Sequence, residues 1–262
     1  MAVLYVVATP IGNMEDLSLR AVRILGETKV LACEDTRQTR KLFTRHAIPT
    51  PDTILSYHEH NEERAGRRIL DYLHQGRNVA LCSDAGYPGI SDPGYRIISS
   101  VWAAGEEVCV IPGAGAVQPA LLASGLPTSS FTFKGFAPRK GSQRRRFLAE
   151  EREAVHTLVI FESPHRIAAF LKDAREVLGN RLAAVCVELT KKFEGIHRGY
   201  LEDLCREFDS VRVKGEITVV IAGRHTKFIK IGERSAKGDT NVEARAKDPR
   251  GDSTRAAGGE KG

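Results

Sequence analysis

Residues 83–94 read Ser83-Asp84-Ala85-Gly86-Tyr87-Pro88-Gly89-Ile90-Ser91-Asp92-Pro93-Gly94. Three Gly, two Pro, two Asp and two Ser fall within these twelve positions. Gly is conformationally permissive and Pro has no backbone donor, so the segment continues neither a strand nor a helix. An apolar β-type run, 79–82, precedes it, and a helical pattern, 95–104, follows. The segment is therefore a loop at the carboxyl end of a strand, where open α/β sheets hold ligands. Its bare backbone lets a ligand sit against the main chain.

Working outward, strand-like runs at 3–8, 29–33, 79–82 and 107–111 alternate with helical patterns at 17–25, 36–46, 62–74, 95–104 and 115–124. Asp16 is the expected N-cap of the first helix. This alternation predicts a parallel sheet covered on both faces. Beyond it, 131–136 is an aromatic strand, 142–152 a charged helix and 158–162 a strand. Ser163-Pro164 starts a helix, with Pro in the first turn. Strands at 182–189, 196–199 and 216–222 and a helix at 201–208 complete a second α/β or α+β unit. The expected domains are 1–117 and 118–224. From residue 225 onward the only large apolar residues are Phe228, Ile229, Ile231 and Val242. Such a segment cannot offset its ordering entropy, so 225–262 is expected to be a disordered tail. Nine Lys or Arg against six Asp or Glu make it basic.

The net charge of +6 and the pI of about 9.1 fit an anionic partner, nucleic acid first. Five Cys without a C-x-x-C pair argue against a zinc or redox site and for a reducing compartment. The first residues lack the basic region of a signal peptide, and no apolar run approaches membrane-spanning length. A cytoplasmic protein without membrane contact is expected.

Two further loops follow strands. One holds Pro10, Gly12 and Asn13. The other, Pro112-Gly113-Ala114-Gly115-Ala116, begins like a dinucleotide fingerprint. Gln118 occupies its third glycine position and no acidic residue follows at the ribose-binding distance, which argues against NAD. Three such loops at one sheet edge make a ligand site. Glu34-Asp35-Thr36-Arg37 stands at a strand-to-helix junction, where N-capping accounts for Asp35 but not for Glu34 or Arg37. Residues 56–62, with His58, Glu59 and His60, carry groups able to move protons; H-x-H alone is a poor metal signal, and no metal is expected. Arg139, Lys140, Arg144, Arg145 and Arg146 place five cations in eight residues around a Gly-Ser hinge, which suits phosphate contacts. Arg37, Arg40, Lys41 and Arg45 form a second basic cluster. Phe131, Phe133 and Phe136 read as core before they read as a base-stacking surface.

These motifs together resemble one family. ATPIGN at 8–13, EDTR at 34–37, SYHEHNE at 56–62 and SDAGYPGISDPGY at 83–95 look like signatures of the bacterial ribosomal small subunit methyltransferases I. So do GFAPRKG at 135–141, FESPHR at 161–166, ELTKKFE at 188–194 and KGE at 214–216. That family belongs to the tetrapyrrole methylase superfamily and methylates the 2′-hydroxyl of a cytidine in 16S rRNA. The resemblance implies two α/β domains of the class III methyltransferase type, with S-adenosylmethionine in the cleft between them. It implies cofactor contacts from Pro10, Gly12, Asn13, Ser83, Asp84, Ala85, Gly86, Ser91, Asp92, Pro112, Gly113, Ala114, Lys214 and Gly215. The partners implied are 16S rRNA, within the 30S subunit or its precursor, and a second copy of the chain as an allowed homodimer. Tyr87 stands where the family usually has Thr, and Gly115 where a Pro-Ser type sequence is common, so contacts at these two positions are not carried over.

The chemistry follows from the substrate. Methyl transfer to a ribose hydroxyl is an in-line displacement governed by positioning. The hydroxyl also loses a proton, so a base is useful and a nearby cation stabilises the developing alkoxide. The base candidates are Glu34, Asp35, His58 and Glu59. The cation candidates are Arg37, Lys191 and Lys192. The basic residues Arg40, Lys41, Arg139, Lys140, Arg144, Arg145 and Arg146 are the expected RNA contacts. Two rivals stand beside this reading: a tetrapyrrole C-methyltransferase, which needs no phosphate-binding surface, and a non-enzymatic ribosome-binding protein, which needs no intact Gly-rich loops.

Overall fold

A computed structural model describes residues 2–229. The first half contains β1 (Val3–Val7), α1 (Leu19–Glu27), β2 (Val30–Cys33), α2 (Thr36–Arg45), β3 (Thr53–Ser56), α3 (Glu62–His74), β4 (Val79–Cys82), α4 (Tyr95–Ala103) and β5 (Glu107–Ile111). Its five strands are all parallel, in the order β3-β2-β4-β1-β5. β2 and β4 are buried along their whole length, as a sheet covered on both faces requires. One face packs on α3 and α4 through Leu4, Val79, Leu81, Ile69 and Val101. The other packs on α1 and α2 through Leu31, Ala80, Ile24, Leu25 and Phe43.

The second half contains α5 (Val117–Ser124), β6 (Phe131–Phe136), α6 (Gly141–Ala149), β7 (Thr157–Glu162), α7 (Ile167–Leu178), β8 (Leu182–Val187), β9 (Gly195–Tyr200), α8 (Leu201–Ser210) and β10 (Ile217–Ile221). This sheet is mixed, in the order β6-β7-β10-β8-β9. β6 and β7 run parallel, while β10 is antiparallel to β7 and β8, and β9 to β8. Alternation along β7 sends Leu158 and Ile160 to a core shared with α7 and α8, and Val159 to the face that α5 covers. Ile11, from the loop after β1, joins that second core, so the two sheets share apolar contact.

Three expectations change. The N-cap of α1 is Ser18, whose hydroxyl accepts from Ala21 N–H at 3.1 Å; Asp16 belongs to a preceding 3-10 turn. β3 was not expected, and α7 starts at Ile167 rather than at Ser163-Pro164, with residues 164–166 forming a turn before it. The first residues of the expected tail are ordered: Thr226–Phe228 form a 3-10 turn, Phe228 packs against the α5-side core, and Ile229 pairs with Arg181. Two apolar side chains within four residues suffice to dock this stretch. Residues 230–262, which carry the rest of the tail expectation, lie outside the described residues. No helix among the described residues is long and apolar enough to cross a membrane.

Candidate active site

The three Gly/Pro loops follow β1, β4 and β5, and these strands are neighbours in the sheet. Adjacent parallel strands bring their carboxyl ends together, so the loops meet. Thr9 and Gly86 pair through two backbone bonds of 2.9 and 3.0 Å, which zips the first loop to the second. The Tyr87 hydroxyl lies 3.1 Å from the Gly113 nitrogen and 3.3 Å from its oxygen, accepting from one and donating to the other. The Tyr87 ring stands 3.4 Å from where a Cβ on residue 115 would sit. The two departures from the family pattern, Tyr87 and Gly115, are therefore one packing unit that ties the second loop to the third.

The loops form one wall of a cleft of about 760 Å³. Asp84, Ala85, Gly86, Ser91 and Asp92 line it, with Glu34 at the end of the neighbouring strand β2. The opposite wall comes from the second sheet, through Phe131, Phe133, Phe136, Phe161 and the 215–218 segment. Burial raises the pKa of Glu34, and the charge of Asp84 raises it further, against a backbone hydrogen bond from Asp84. Burial likewise raises Asp84. Asp92 is pushed up to about 6, by burial first and then by the charge of Glu34. Three half-desolvated carboxylates that oppose one another's ionisation make a place suited to a cation. The cleft's size and the charge on the loop side fit S-adenosylmethionine, whose sulfonium carries the matching charge.

A second hollow adjoins this cleft and shares Ile11, Asp84, Ala85 and Glu216 with it. Pro10, Gly12, Ser83 and Lys191 line it. Gly12 packs directly on the second half: a Cβ there would meet the Lys191 side chain, and Thr190 Oγ1 at 2.8 Å. Asn13 N–H donates to the same Thr190 oxygen at 3.1 Å. The Lys191 ammonium sits 2.9 Å from Glu188 and 3.0 Å from Glu216. It is thus already paired across the KGE segment, and the two carboxylates outweigh burial in raising its pKa. Ser91, Glu188 and Thr190 all hold left-handed backbone, with φ of 63, 51 and 65°, and such strain collects at functional segments.

The other expected residues lie elsewhere. Asp35 caps α2, its carboxylate accepting from Arg37 N–H at 2.7 Å, and its own N–H donates to Asp84 at 3.0 Å. Arg37, Arg40 and Lys41 are exposed on α2. His58 and Glu59 line a separate hollow with Arg64, Arg67 and Arg96 rather than the cleft. Lys192 is exposed, its ammonium 5.6 Å from the Phe193 ring. Pro112, Gly113 and Lys214 are exposed; Ala114 is half-buried. Gly215 is a cleft residue. No group of three or more His, Cys, Asp or Glu able to hold a metal stands among the described residues.

Arg144 is a correction. It is buried, and its Nε and Nη2 donate to Asp173 Oδ2 at 2.7 and 2.6 Å. α6 turns this side chain inward, onto α7, so it cannot face phosphate. Arg145 is half-exposed and shares Asp173, while Arg139, Lys140 and Arg146 are exposed. Glu162 was not expected as a site residue. It lines the cleft at the end of β7, and its buried carboxylate bonds Ser163 N–H and Arg166 through one oxygen, leaving the other without a partner.

Residues 3–205 match the family of Tetrapyrrole (Corrin/Porphyrin) Methylases. The Ribosomal RNA small subunit methyltransferase I of Halalkalibacterium halodurans is 49% identical over 224 residues, covering 86% of this chain and 77% of that protein. The protein of the same name from Thermotoga maritima is 40% identical, over 86% of this chain and 100% of that protein. Among solved structures, the methyltransferase CobJ is similar with a TM-score of 0.65 at 18% identity, over 86% of this chain and 95% of that one. A uroporphyrin-III C-methyltransferase from Thermus thermophilus, complexed with S-adenosyl homocysteine, has a TM-score of 0.57 at 20% identity, over 85% and 97%. At that identity the structural likenesses speak for the fold alone.

Proposed function

Because the chain belongs to the ribosomal RNA small subunit methyltransferase I family of tetrapyrrole methylases, we propose that it methylates the ribose 2′-hydroxyl of a cytidine in 16S rRNA. It is an S-adenosylmethionine-dependent methyltransferase. A substrate within the 30S subunit or its precursor, a cytoplasmic location and a homodimer belong to the same proposal. The observation that carries it is the convergence of three Gly/Pro loops and three raised carboxylates in one cleft, one wall of which, at Phe136, runs on in sequence into the exposed Arg139 and Lys140. The basic residues weigh against the tetrapyrrole C-methyltransferase, and the intact loops against the non-enzymatic protein.

S-adenosylmethionine supplies an electrophilic methyl group on a positively charged sulfur. The loops bearing Pro10, Gly12, Asn13, Ser83–Gly86, Ser91, Asp92 and Pro112–Ala114 would hold it from one side, and Lys214 and Gly215 from the other. Glu34 would take the proton from the 2′-hydroxyl at its cleft-facing carboxylate. Of the four base candidates it alone lines the cleft, and burial has raised its basicity. Asp35 is occupied as a cap, and His58 and Glu59 face another hollow. Lys191 orders Glu188 and Glu216 at the cleft's edge and acts as a positioning residue. Arg139, Lys140, Arg145 and Arg146, with Arg37, Arg40 and Lys41, contact phosphates. The test uses 30S subunits from a strain lacking this gene, with mass mapping of ribose methylation. Wild-type protein should methylate one cytidine. Glu34→Gln should cut the rate about 100-fold with S-adenosylhomocysteine affinity kept; a near-normal rate would remove Glu34 as the base.

A further inference from the structure

We propose that Phe136 is the platform on which the base of the target nucleotide stacks, an inference that rests on the rRNA methyltransferase reading above. The argument begins with strand register. β6 pairs with β7 as Phe131 with Thr157 and Phe133 with Val159, then shifts so that Phe136 pairs with Phe161. Side chains alternate along a strand, so Phe131 and Phe133 share the cleft face, and without the shift residue 135 would come next on it. The extra residue at Lys134-Gly135 returns Phe136 to that face. Gly135 adopts the left-handed conformation this needs, with φ of 63°. Lys134 points away and pairs with Glu150 and Glu151 at 3.1 and 2.8 Å. Bulges beside active sites re-aim side chains, and this one aims a third phenylalanine into the cleft.

The rings are held but not covered. Phe133 and Phe136 both meet Phe161 at 63°, with centroids 4.7 and 5.5 Å apart. Phe161 thus backs Phe136 edge-on, and Phe136 remains 55% exposed. A large ring kept exposed by a special backbone device, on the wall of a cleft, offers a flat apolar surface to a planar ligand.

The flanking charge selects the ligand. The chain runs from Phe136 into Ala137-Pro138-Arg139-Lys140. Arg166 donates to the Ala137 carbonyl at 3.2 Å, which fixes the loop, while the Arg139 and Lys140 side chains are exposed. An aromatic face within four residues of two free-standing cations suits a nucleotide of single-stranded RNA, base on the ring and phosphate on the cations. Phe136 and Glu34 line the same cleft, so one nucleotide can reach both. The reading of these phenylalanines as core holds for Phe133, which packs with Val159 and Val220, and fails for Phe131 and Phe136, both exposed.

The experiment compares full-length Phe136→Ala, Phe136→Leu and Phe136→Trp with wild type. KM and kcat are measured on 30S subunits lacking the methyl group, and S-adenosylhomocysteine affinity by calorimetry. Ala and Leu should raise KM for the 30S subunit by about fivefold to a hundredfold, the range set by losing one base–aromatic stack. Trp should restore it, and cofactor affinity should stay within about twofold throughout, as positions exposed to this degree tolerate substitution. Leu keeps apolar bulk without a ring, so it serves if Ala fails to fold. Ala and Leu variants that methylate like wild type would overturn the proposal. So would a parallel loss of S-adenosylhomocysteine affinity, which would make the cofactor's adenine the ring's occupant. A wild-type protein that binds S-adenosylhomocysteine yet leaves the 30S subunit unmethylated would overturn the parent reading, and this one with it.

Discussion

Replacing Arg144 with Ala separates a structural cation from its RNA-facing neighbours. The Arg144 side chain is 8% exposed and that of Asp173 10%, and two guanidinium nitrogens share one carboxylate oxygen. Removing one partner of such a buried pair costs about 3–5 kcal/mol, because the other charge is left desolvated. Arg145 stays on the second oxygen at 3.1 Å, but it is half in solvent and compensates only in part. A loss of about 2–4 kcal/mol is therefore expected, which lowers the melting temperature by roughly 5–15 °C in a domain of this size. Arg146→Ala, at an exposed position, should change stability by less than about 0.5 kcal/mol. The two variants should reverse order in RNA binding. In a salt series with 30S subunits, Arg146→Ala should flatten the slope of log affinity against log salt by about 0.7–0.9, and Arg144→Ala should leave it unchanged. Urea or thermal unfolding read beside the salt series decides the matter. An Arg144→Ala protein as stable as wild type, or one whose salt slope falls by a full unit, would refute the assignment.

Two further outcomes follow from the cleft's geometry. Asp92 has an ordinary pKa of 3.8 and a folded value raised to about 6, so its ionisation opposes folding at neutral pH, and that penalty is relieved as pH falls from about 6 toward 4. Asp92→Asn should therefore raise the melting temperature at pH 7.5, with the stability gain about halved at pH 5; a gain independent of pH would show that desolvation of the charge is not its source. Gly12→Ala forces a Cβ against Thr190 and Lys191 and should part the ATPIGN loop from the 189–191 segment. Calorimetry should find S-adenosylhomocysteine binding weakened by about tenfold or more, on the scale of about 1–3 kcal/mol for an overpacked contact, and unchanged affinity would mean that this junction does not shape the site.

How legible these features were in the sequence depends on how local their causes are. The loop after β4 announces itself because Gly and Pro act on their own residue's backbone, and the runs of β2 and β4 because both faces are buried. β3 escaped: it is four residues long, on the sheet edge, with only Leu55 buried, so no pattern marks it. Arg144 escaped for a different reason. Five clustered cations look alike in sequence, and the one that turns inward is chosen by Asp173, 29 residues away on another helix. Phe136 depends on a bulge, and a one-residue insertion in register exists only relative to the partner strand. The family resemblance located the loops but could not say that the Tyr87 hydroxyl ties the second loop to Gly113 of the third, since that is a contact between two loops.

The division of charge across the site accounts for how one protein can hold a cation and a polyanion at once. Glu34, Asp84, Asp92, Glu162 and Glu216 line the cleft, and among the described residues on its lining there is no Lys, Arg or His. Such a cavity attracts a sulfonium and repels phosphate, and in a partly desolvated site both effects exceed their value in water. On the proposed reading a ribonucleotide would enter by its uncharged parts, the base and the ribose. Its phosphates would then stay off the cleft lining, within reach of the exposed Arg139, Lys140 and Arg146. In the proposed reaction the bound sulfonium would become a neutral thioether, leaving Glu34, Asp84 and Asp92 without that counter-charge, while Glu162 keeps Arg166 and Glu216 keeps Lys191. The loss favours release of the spent cofactor. If Glu34 is the base, as proposed, loss of that positive charge beside it favours its keeping the proton, because the neighbouring Asp84 carboxylate already opposes its ionisation.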